Sequence, residues 1–283
     1  MIVNVKGLDF HQTFKPERDC LSTLLTELDS CSGKTVAEIS KITGIPTGSS
    51  SGKVVPTIFY LEYMGLIQEQ LDNKKYRLDY TTIGEAVLAE DPGLMEELSL
   101  MLLHCMIARK RNGAELWSYI ICEVLSKYHG RINKINLEKE LQMHFGKTVN
   151  LSPFNGSYSG LFEQLGIIKI SNDEYVMQPH SFNPEYEYLY GLILYKYWDE
   201  WASEFSDEQK RNEKVSIIEI TADQIEQTGF RRVFGWTEQI EYQALEALND
   251  KGIVSLNRQM SPFAVRRILK EEEIIDLLYS ELC

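Results

Sequence analysis

Gly52-Lys53 closes a polar loop, Thr47-Gly48-Ser49-Ser50-Ser51-Gly52, and is the chain's nearest approach to a phosphate-binding loop. The nucleotide-binding pattern GxxxxGK followed by Ser or Thr lets backbone wrap the phosphates and a hydroxyl reach the metal. It needs glycine at 47 and a hydroxyl at 54, where this chain has Thr47 and Val54. The pattern therefore does not support nucleotide hydrolysis. A weaker use survives, because the first N–H groups of a helix attract phosphate and Lys53 adds a charge there. In a helix-turn-helix that phosphate belongs to DNA. An ordinary solvated turn has the same composition.

Lys74, Lys75 and Arg77 fall on a predicted hairpin, and Lys34 and Lys41 lie near the first turn. With Ser51, Gly52, Lys53 and Thr57 they make up the candidate DNA-contacting set, a basic face opposed by Glu62, Glu69 and Asp72. His104-Cys105 and Cys122 could suggest a metal, but there is no CxxC, no HxxxH and no fourth ligand. They read as core thiols and a hydrogen-bonded histidine, and no metal or cofactor is expected. His11, His129, His144 and His180 are scattered. No G-x-S-x-G and no paired-carboxylate pattern is present. No catalytic residue is assigned and a non-enzyme is expected. Glu271-Glu272-Glu273 reads as a solvated helix start.

The elements that would position these residues are legible. Glu17 to Ser30 carries Leu21, Leu24, Leu25 and Leu28 at helical spacing. Thr35-x-x-Glu38 is a capping box opening a helix that Gly44-Ile45-Pro46 stops. A second helix is predicted from Lys53 to Met64, ended by Gly65. Leu66 to Gln70, the turn Asp72-Asn73-Lys74, and Lys75 to Leu78 form a hairpin. That order is a winged helix-turn-helix, with the Lys53–Met64 helix entering the major groove and the hairpin as wing. Tyr76-x-Leu78-x-x-Thr81-x-x-Gly84 resembles the exit from the wing in such domains.

The pattern repeats. A glycine followed by two apolar residues closes a helix at Gly65-Leu66-Ile67, Gly166-Ile167-Ile168 and Gly252-Ile253-Val254. Pro92 to Lys110 and Ala114 to His129 form a helical hairpin, and Asn183 to Phe205 a long aromatic helix. The fold class expected is mainly α with small β-hairpins (α+β), several winged helix-turn-helix-like units joined by a helical core. Three domains are expected: 1–91, 92–182 with the second unit, and 183–283 with an acidic third unit. The polar run Ser206 to Lys214 is the best linker.

The chain has 283 residues, of which 43% are hydrophobic, and a net charge of −13. That balance opposes indiscriminate binding to nucleic acid through overall charge. Residues 1–90 carry 9 basic and 12 acidic side chains, 91–180 carry 9 and 10, and 181–283 carry 11 and 20. The first two-thirds is the better candidate for DNA. The acidic last third suits a basic protein partner, so an adaptor that binds a partner subunit is the alternative; an exposed aromatic face on 183–205 would favour it. Five cysteines, no leader-like N-terminus and no apolar run long enough to span a bilayer lead us to expect a cytoplasmic protein with reduced thiols and no membrane partner.

His11-Gln12-Thr13-Phe14-x-x-x-Arg18, Gly52-Lys53-x-Val55, Trp117 and Arg232-Val233-Phe234 together resemble a family of uncharacterised bacterial proteins, the domain-of-unknown-function family four thousand and seven. Arg18 stands one residue further along than in the family's opening. The resemblance implies a DNA-binding or adaptor component of a phage-defence system, linked to DNA phosphorothioation and encoded beside phosphoadenosine-phosphosulfate-reductase-like genes. It implies no catalytic residue. His11, Thr13, Phe14, Gly52 and Lys53 are the positions it carries over as possible functional ones, with a structural role equally open for each.

Overall fold

Thr35 and Glu38 form the expected reciprocal cap: the Glu38 N–H donates to Thr35 Oγ1 at 3.4 Å and the Thr35 N–H to Glu38 Oε2 at 2.8 Å. This starts helix α3 (Val36–Thr43), which Gly44 ends at φ 72°, in the left-handed region that glycine enters without steric cost. The computed structural model describes residues 7–48, 52–205 and 215–282. Ahead of α3 come helix α1 (Arg18–Thr26), helix α2 (Leu28–Cys31) and strand β1 (Lys34–Thr35). The single predicted helix over 17–30 is thus two short ones. After α3 come helix α4 (Val54–Tyr63) and strands β2 (Ile67–Asp72) and β3 (Lys75–Tyr80). Asn73 and Lys74 turn this hairpin with φ of 49° and 67°, as a two-residue turn matched to strand twist requires.

The same order of strand, helices and hairpin occurs three times. Strand β4 (Arg131–Asn133) leads to helices α9 (Lys134–Phe145) and α10 (Ser152–Tyr158) and strands β5 (Ile168–Ser171) and β6 (Glu174–Met177). Strand β7 (Glu219–Thr221) leads to helices α12 (Ala222–Thr228), α13 (Phe230–Val233) and α14 (Glu238–Asp250) and strands β8 (Val254–Asn257) and β9 (Ala264–Arg267). Each set forms a three-stranded antiparallel sheet with the return strand in the middle, in the orders β1-β3-β2, β4-β6-β5 and β7-β9-β8. The last residue of each leading strand caps the next helix. Asn133 accepts from the Asn136 N–H at 2.9 Å, and the Thr221 N–H donates to Gln224 at 3.0 Å, as Thr35 does with Glu38. The architecture is mixed α and β with small antiparallel sheets.

The chain divides into two compact units, Met1–Gln178 and Pro179–Cys283. The first holds two of the sheets. Between them lie α5 (Thr82–Glu90), α6 (Glu97–Ile107) and a segment of α7 (Glu115–Ser118), one π-helical stretch (Tyr119–Val124) and α8 (Leu125–Lys127). Every residue of α6 from Leu98 to Ile107 is buried, so it is a core helix without a polar face. His104 on it meets the Tyr158 hydroxyl at 3.0 Å, and burial pushes the Cys105 thiol up.

The second unit is built around α11 (Glu187–Ser203), with α15 (Glu271–Asp276) packed on it. Tyr190, Tyr195, Tyr197, Trp198 and Trp201 are all buried. Arg267 lies over the rings of Tyr195 and Trp198 at 4.4 and 4.3 Å. The exposed aromatic face that would have favoured an adaptor is absent from this helix, because its rings form the unit's core. Among the described residues no helix is long and apolar enough to cross a membrane. The predicted linker 206–214 lies outside the described residues.

Candidate nucleic-acid interface

The hairpin β2–β3 brings part of the expected basic set to the surface. Lys74 at the turn and Lys75 and Arg77 on β3 are exposed, and β1 adds Lys34, which pairs with Tyr76 while Thr35 pairs with Lys75. Lys34 and Lys75 therefore stand on neighbouring rungs. Glu38 lies within reach of both: its carboxyl is held below the usual range, first by hydrogen bonds from Thr35 and then by the charges of Lys34 and Lys75. Arg77 pairs with Asp79 at 3.2 Å, both well exposed, an ion pair of little energetic weight. Asp72 stands opposite Lys75 in the ladder and Gln70 opposite Arg77. Lys41 is exposed on the last turn of α3.

The second sheet has cations at similar places, but they are matched. Arg131 pairs with Glu174 at 3.5 Å and Lys134 with Asp173 at 4.0 Å. Asn172 and Asp173 form its turn in the same left-handed conformation as Asn73 and Lys74. One turn thus presents Asp173 where the other presents Lys74, and only the Lys74 turn favours a phosphate.

The other expected contacts are placed differently. Lys53 is not a free charge at a helix start: its ammonium sits 2.8 and 2.7 Å from the two oxygens of Glu17. Thr57 is 5% exposed, and its hydroxyl donates to the Lys53 carbonyl at 2.7 Å. Seven of the ten residues of α4, from Val54 and Pro56 through Leu61, are buried, with α1, α3, α6 and β2 packed on it. The sequence expectation that this helix enters a major groove is corrected here, since seven of its ten residues, Thr57 among them, are enclosed by neighbouring elements and are not free to reach base edges. Gly52 bridges to Thr47, and a Cβ there would come within 2.5 Å of the Thr47 Cα. Its smallness serves the loop's own closure. Ser51 lies outside the described residues.

The positions singled out in the N-terminal arm fix that arm. His11 is 1% exposed and packs edge-on against Phe10 and Trp117. Burial holds its pKa below the ordinary histidine value. The Phe14 carbonyl accepts from the Tyr60 hydroxyl at 2.8 Å. Arg18 donates to Met95 Sδ at 3.2 Å and Gln164 at 3.4 Å. Thr13 is exposed. None of these is brought beside the lysines of the hairpin. Among the described residues, no group of three His, Cys, Asp or Glu side chains is arranged to hold a metal ion.

Sequence reasoning missed Glu17 as the partner of Lys53. Thirty-six residues separate them, and no periodicity links two side chains that only a tertiary fold brings together. It also missed a cleft in the second unit, lined by α12 and α14, where Arg231 lies between Glu226 and Glu241 at 2.7 and 3.5 Å.

No family model and no curated protein matches the chain. Two solved structures share its fold. A structure described as magnesium ion-bound SspB superposes with a TM-score of 0.69 at 15% identity, covering 98% of this chain and 88% of that one. A second SspB crystal structure gives 0.67 at 15% identity with the same coverage.

Proposed function

We propose that this chain is a non-catalytic, DNA-contacting component of a bacterial phage-defence or DNA-modification system, with phosphorothioated DNA as the modification of interest. Each strand–helix–helix–hairpin set is read as a winged helix. The first makes the contact, through its hairpin and the edge of β1 rather than through α4. The observation that carries this is the group of exposed cations Lys34, Lys74, Lys75 and Arg77 on one small sheet, where the equivalent turn of the second sheet is acidic. Such contacts go to phosphate and position a protein without reading sequence. The fold shared with SspB along nearly the whole chain, and the resemblance of the short motifs to the uncharacterised family, support the defence or modification context.

The test is fluorescence anisotropy with plain and phosphorothioate duplexes at low and physiological salt. Binding that weakens as salt rises is expected. No binding at low salt refutes DNA contact, and equal affinity for the two duplexes refutes sensing of the modification.

A second reading has its own observation. The last third holds 11 basic and 20 acidic residues, and its described part contains a cleft lined by Asp223, Glu226, Glu238 and Glu241. That charge repels DNA and suits a basic protein, so this unit is the natural dock for a partner subunit.

A further inference from the structure

Alternate residues of a strand share a face of the sheet, and so do residues directly opposite across an antiparallel ladder. In the β2–β3 hairpin Ile67, Glu69 and Leu71 stand opposite Tyr80, Leu78 and Tyr76 and form the inner face, where Ile67, Tyr76 and Leu78 are buried. Gln68 opposite Asp79, Gln70 opposite Arg77 and Asp72 opposite Lys75 form the outer face, and all six are exposed. The other two hairpins have four-residue strands, two such rows each and no glutamine in them.

The chemistry of this outer face is mixed. Lys75 and Arg77 only donate, Asp72 and Asp79 only accept, and the amides of Gln68 and Gln70 do both. Phosphate oxygens only accept, so a surface built for phosphate alone gains nothing from the carboxylates or from the amide carbonyls. Base edges in the major groove offer donors and acceptors side by side, and a glutamine amide matches adenine N6–H and N7 in one plane. The groove is about 12 Å wide and admits a two-stranded ribbon, whose strands lie about 4.8 Å apart. In the order β1-β3-β2 the rim strand is β2. With β2 leading into the groove, the cations of β3 and of the turn fall toward the flanking phosphates. Arg77 gives its Nε–H to Asp79 at 3.2 Å, a bond that leaves the two terminal NH2 groups for the backbone. Lys34, Lys74, Lys75 and Arg77 outnumber Asp72 and Asp79, so the approach to a polyanion is favourable. Helix α4 is enclosed, so base readout in this unit falls to another surface.

We propose that the outer face of the β2–β3 hairpin reads base edges in the major groove, with Gln68 and Gln70 as the residues that select A·T pairs. The proposal rests on the reading of this hairpin as the DNA contact and adds sequence selection to it. Lys74, Lys75 and Arg77 keep the backbone.

Selection by the full chain from randomised duplex pools, plain and phosphorothioate, tests it. Anisotropy then compares the enriched duplex with the unselected pool. The wild type is expected to enrich a short motif containing A·T pairs and to bind it at least about fivefold more tightly than the pool, the lower end of what one bidentate base contact supplies. Gln68→Ala/Gln70→Ala is expected to bind motif and pool alike, with its affinity for the pool within about twofold of the wild type's, because the phosphate contacts remain. Replacing the motif's adenines by 7-deazaadenine removes the N7 acceptor and leaves base pairing and phosphates in place. That change is expected to weaken the wild type by about fivefold or more and the double variant by less than about twofold. Both glutamines are exposed, and near-UV circular dichroism checks that the variant is folded. Salt-sensitive binding with no enriched motif overturns the base readout and leaves the phosphate contact standing. So does a folded double variant that selects the wild-type motif, or one that loses affinity equally for every duplex. No binding to either pool at low salt overturns the hairpin as a DNA contact and this proposal with it.

Discussion

Lys53 Nζ lies between the two carboxylate oxygens of Glu17, 2.8 and 2.7 Å away, so the one cation at the start of α4 is matched by a residue just ahead of α1. The pair ties the loop before α4 to the N-terminal arm. Each partner keeps the other charged: the Glu17 carboxyl is held down and the Lys53 ammonium raised, chiefly by their mutual hydrogen bond. Both are about a third exposed, so solvent screens the attraction. Lys53→Ala is expected to cost no more than about 1 kcal/mol of stability and to leave DNA affinity within twofold. Chemical denaturation and anisotropy check the two halves of that expectation. A tenfold loss of DNA binding in a fully folded variant would return Lys53 to the interface.

The hairpin cations are expected to behave in the opposite way. Lys74→Ala/Lys75→Ala should weaken binding on every duplex sequence. The slope of log K against log salt should flatten by about 0.9 for each phosphate that the variant no longer neutralises. Stability should stay within about 0.5 kcal/mol, as is usual for exposed positions. Unchanged affinity and slope would remove the β2–β3 hairpin from the interface.

Thr57 separates a groove-reading α4 from an enclosed one. Its hydroxyl is spent on the Lys53 carbonyl of its own helix. Thr57→Val is expected to leave DNA affinity unaltered on all duplexes. Phe59→Ala, at a ring 1% exposed, is expected to cost about 3–5 kcal/mol as a core cavity. A selective loss of affinity for one sequence in Thr57→Val would show that α4 does read bases.

Gly84 explains the spacing Thr81-x-x-Gly84 after the β2–β3 hairpin. Thr81 caps α5 by accepting the Gly84 N–H at 2.9 Å, and its own hydroxyl donates to the Gly65 carbonyl at 2.6 Å. A Cβ on Gly84 would fall 1.9 Å from the Leu66 carbonyl oxygen, a backbone atom that cannot swing aside. Gly84→Ala is expected to destabilise the first unit by about 3 kcal/mol, at the upper end of overpacking costs. Thermal denaturation reads it, and a melting temperature equal to the wild type's would contradict the close approach.

Glu241 gives a pH prediction. Burial pushes its carboxyl up to about 7; Arg231 and Arg232 pull it down, and Glu226 and Glu238 push it up. The folded state therefore holds a proton that the unfolded state has released between about pH 4.5 and 7. A state that binds more protons gains stability as pH falls, so this residue's contribution is present at low pH and lost as pH rises through 7. The change is on the order of 3 kcal/mol. His180, lowered to about 4 by burial, acts in the opposite direction between about pH 4 and 6.5. The difference between Glu241→Gln and the wild type isolates Glu241. Urea unfolding from pH 5 to 8 should show the variant gaining on the wild type as pH rises, and parallel profiles would rule out the raised carboxyl.

Local chemistry was legible in the sequence wherever a few adjacent residues decide a backbone conformation. The Thr35–Glu38 cap, the stop at Gly44 and the turn at Asn73-Lys74 need no distant partner, and the threefold Gly-apolar-apolar step announced three hairpins, each later found with its strands paired. The leading strands β1, β4 and β7 were missed, because two or three residues show no period and are strands only through pairing with β3, β6 and β9. The role of α4 was misread for a related reason. Val55, Ile58, Phe59 and Leu61 look like one apolar face with a free side opposite, but Pro56, Thr57 and Tyr60 are buried as well, with α1, α3 and α6 all packed on the helix. Whether a cation is available follows the same division. Sequence places Lys53 and Lys74 alike beside turns, and only the tertiary fold brings Glu17 to Lys53 while leaving Lys74 in solvent. Conformation set by neighbours in the chain is written in the sequence. Burial and charge pairing depend on segments that are distant along the chain and adjacent only after folding.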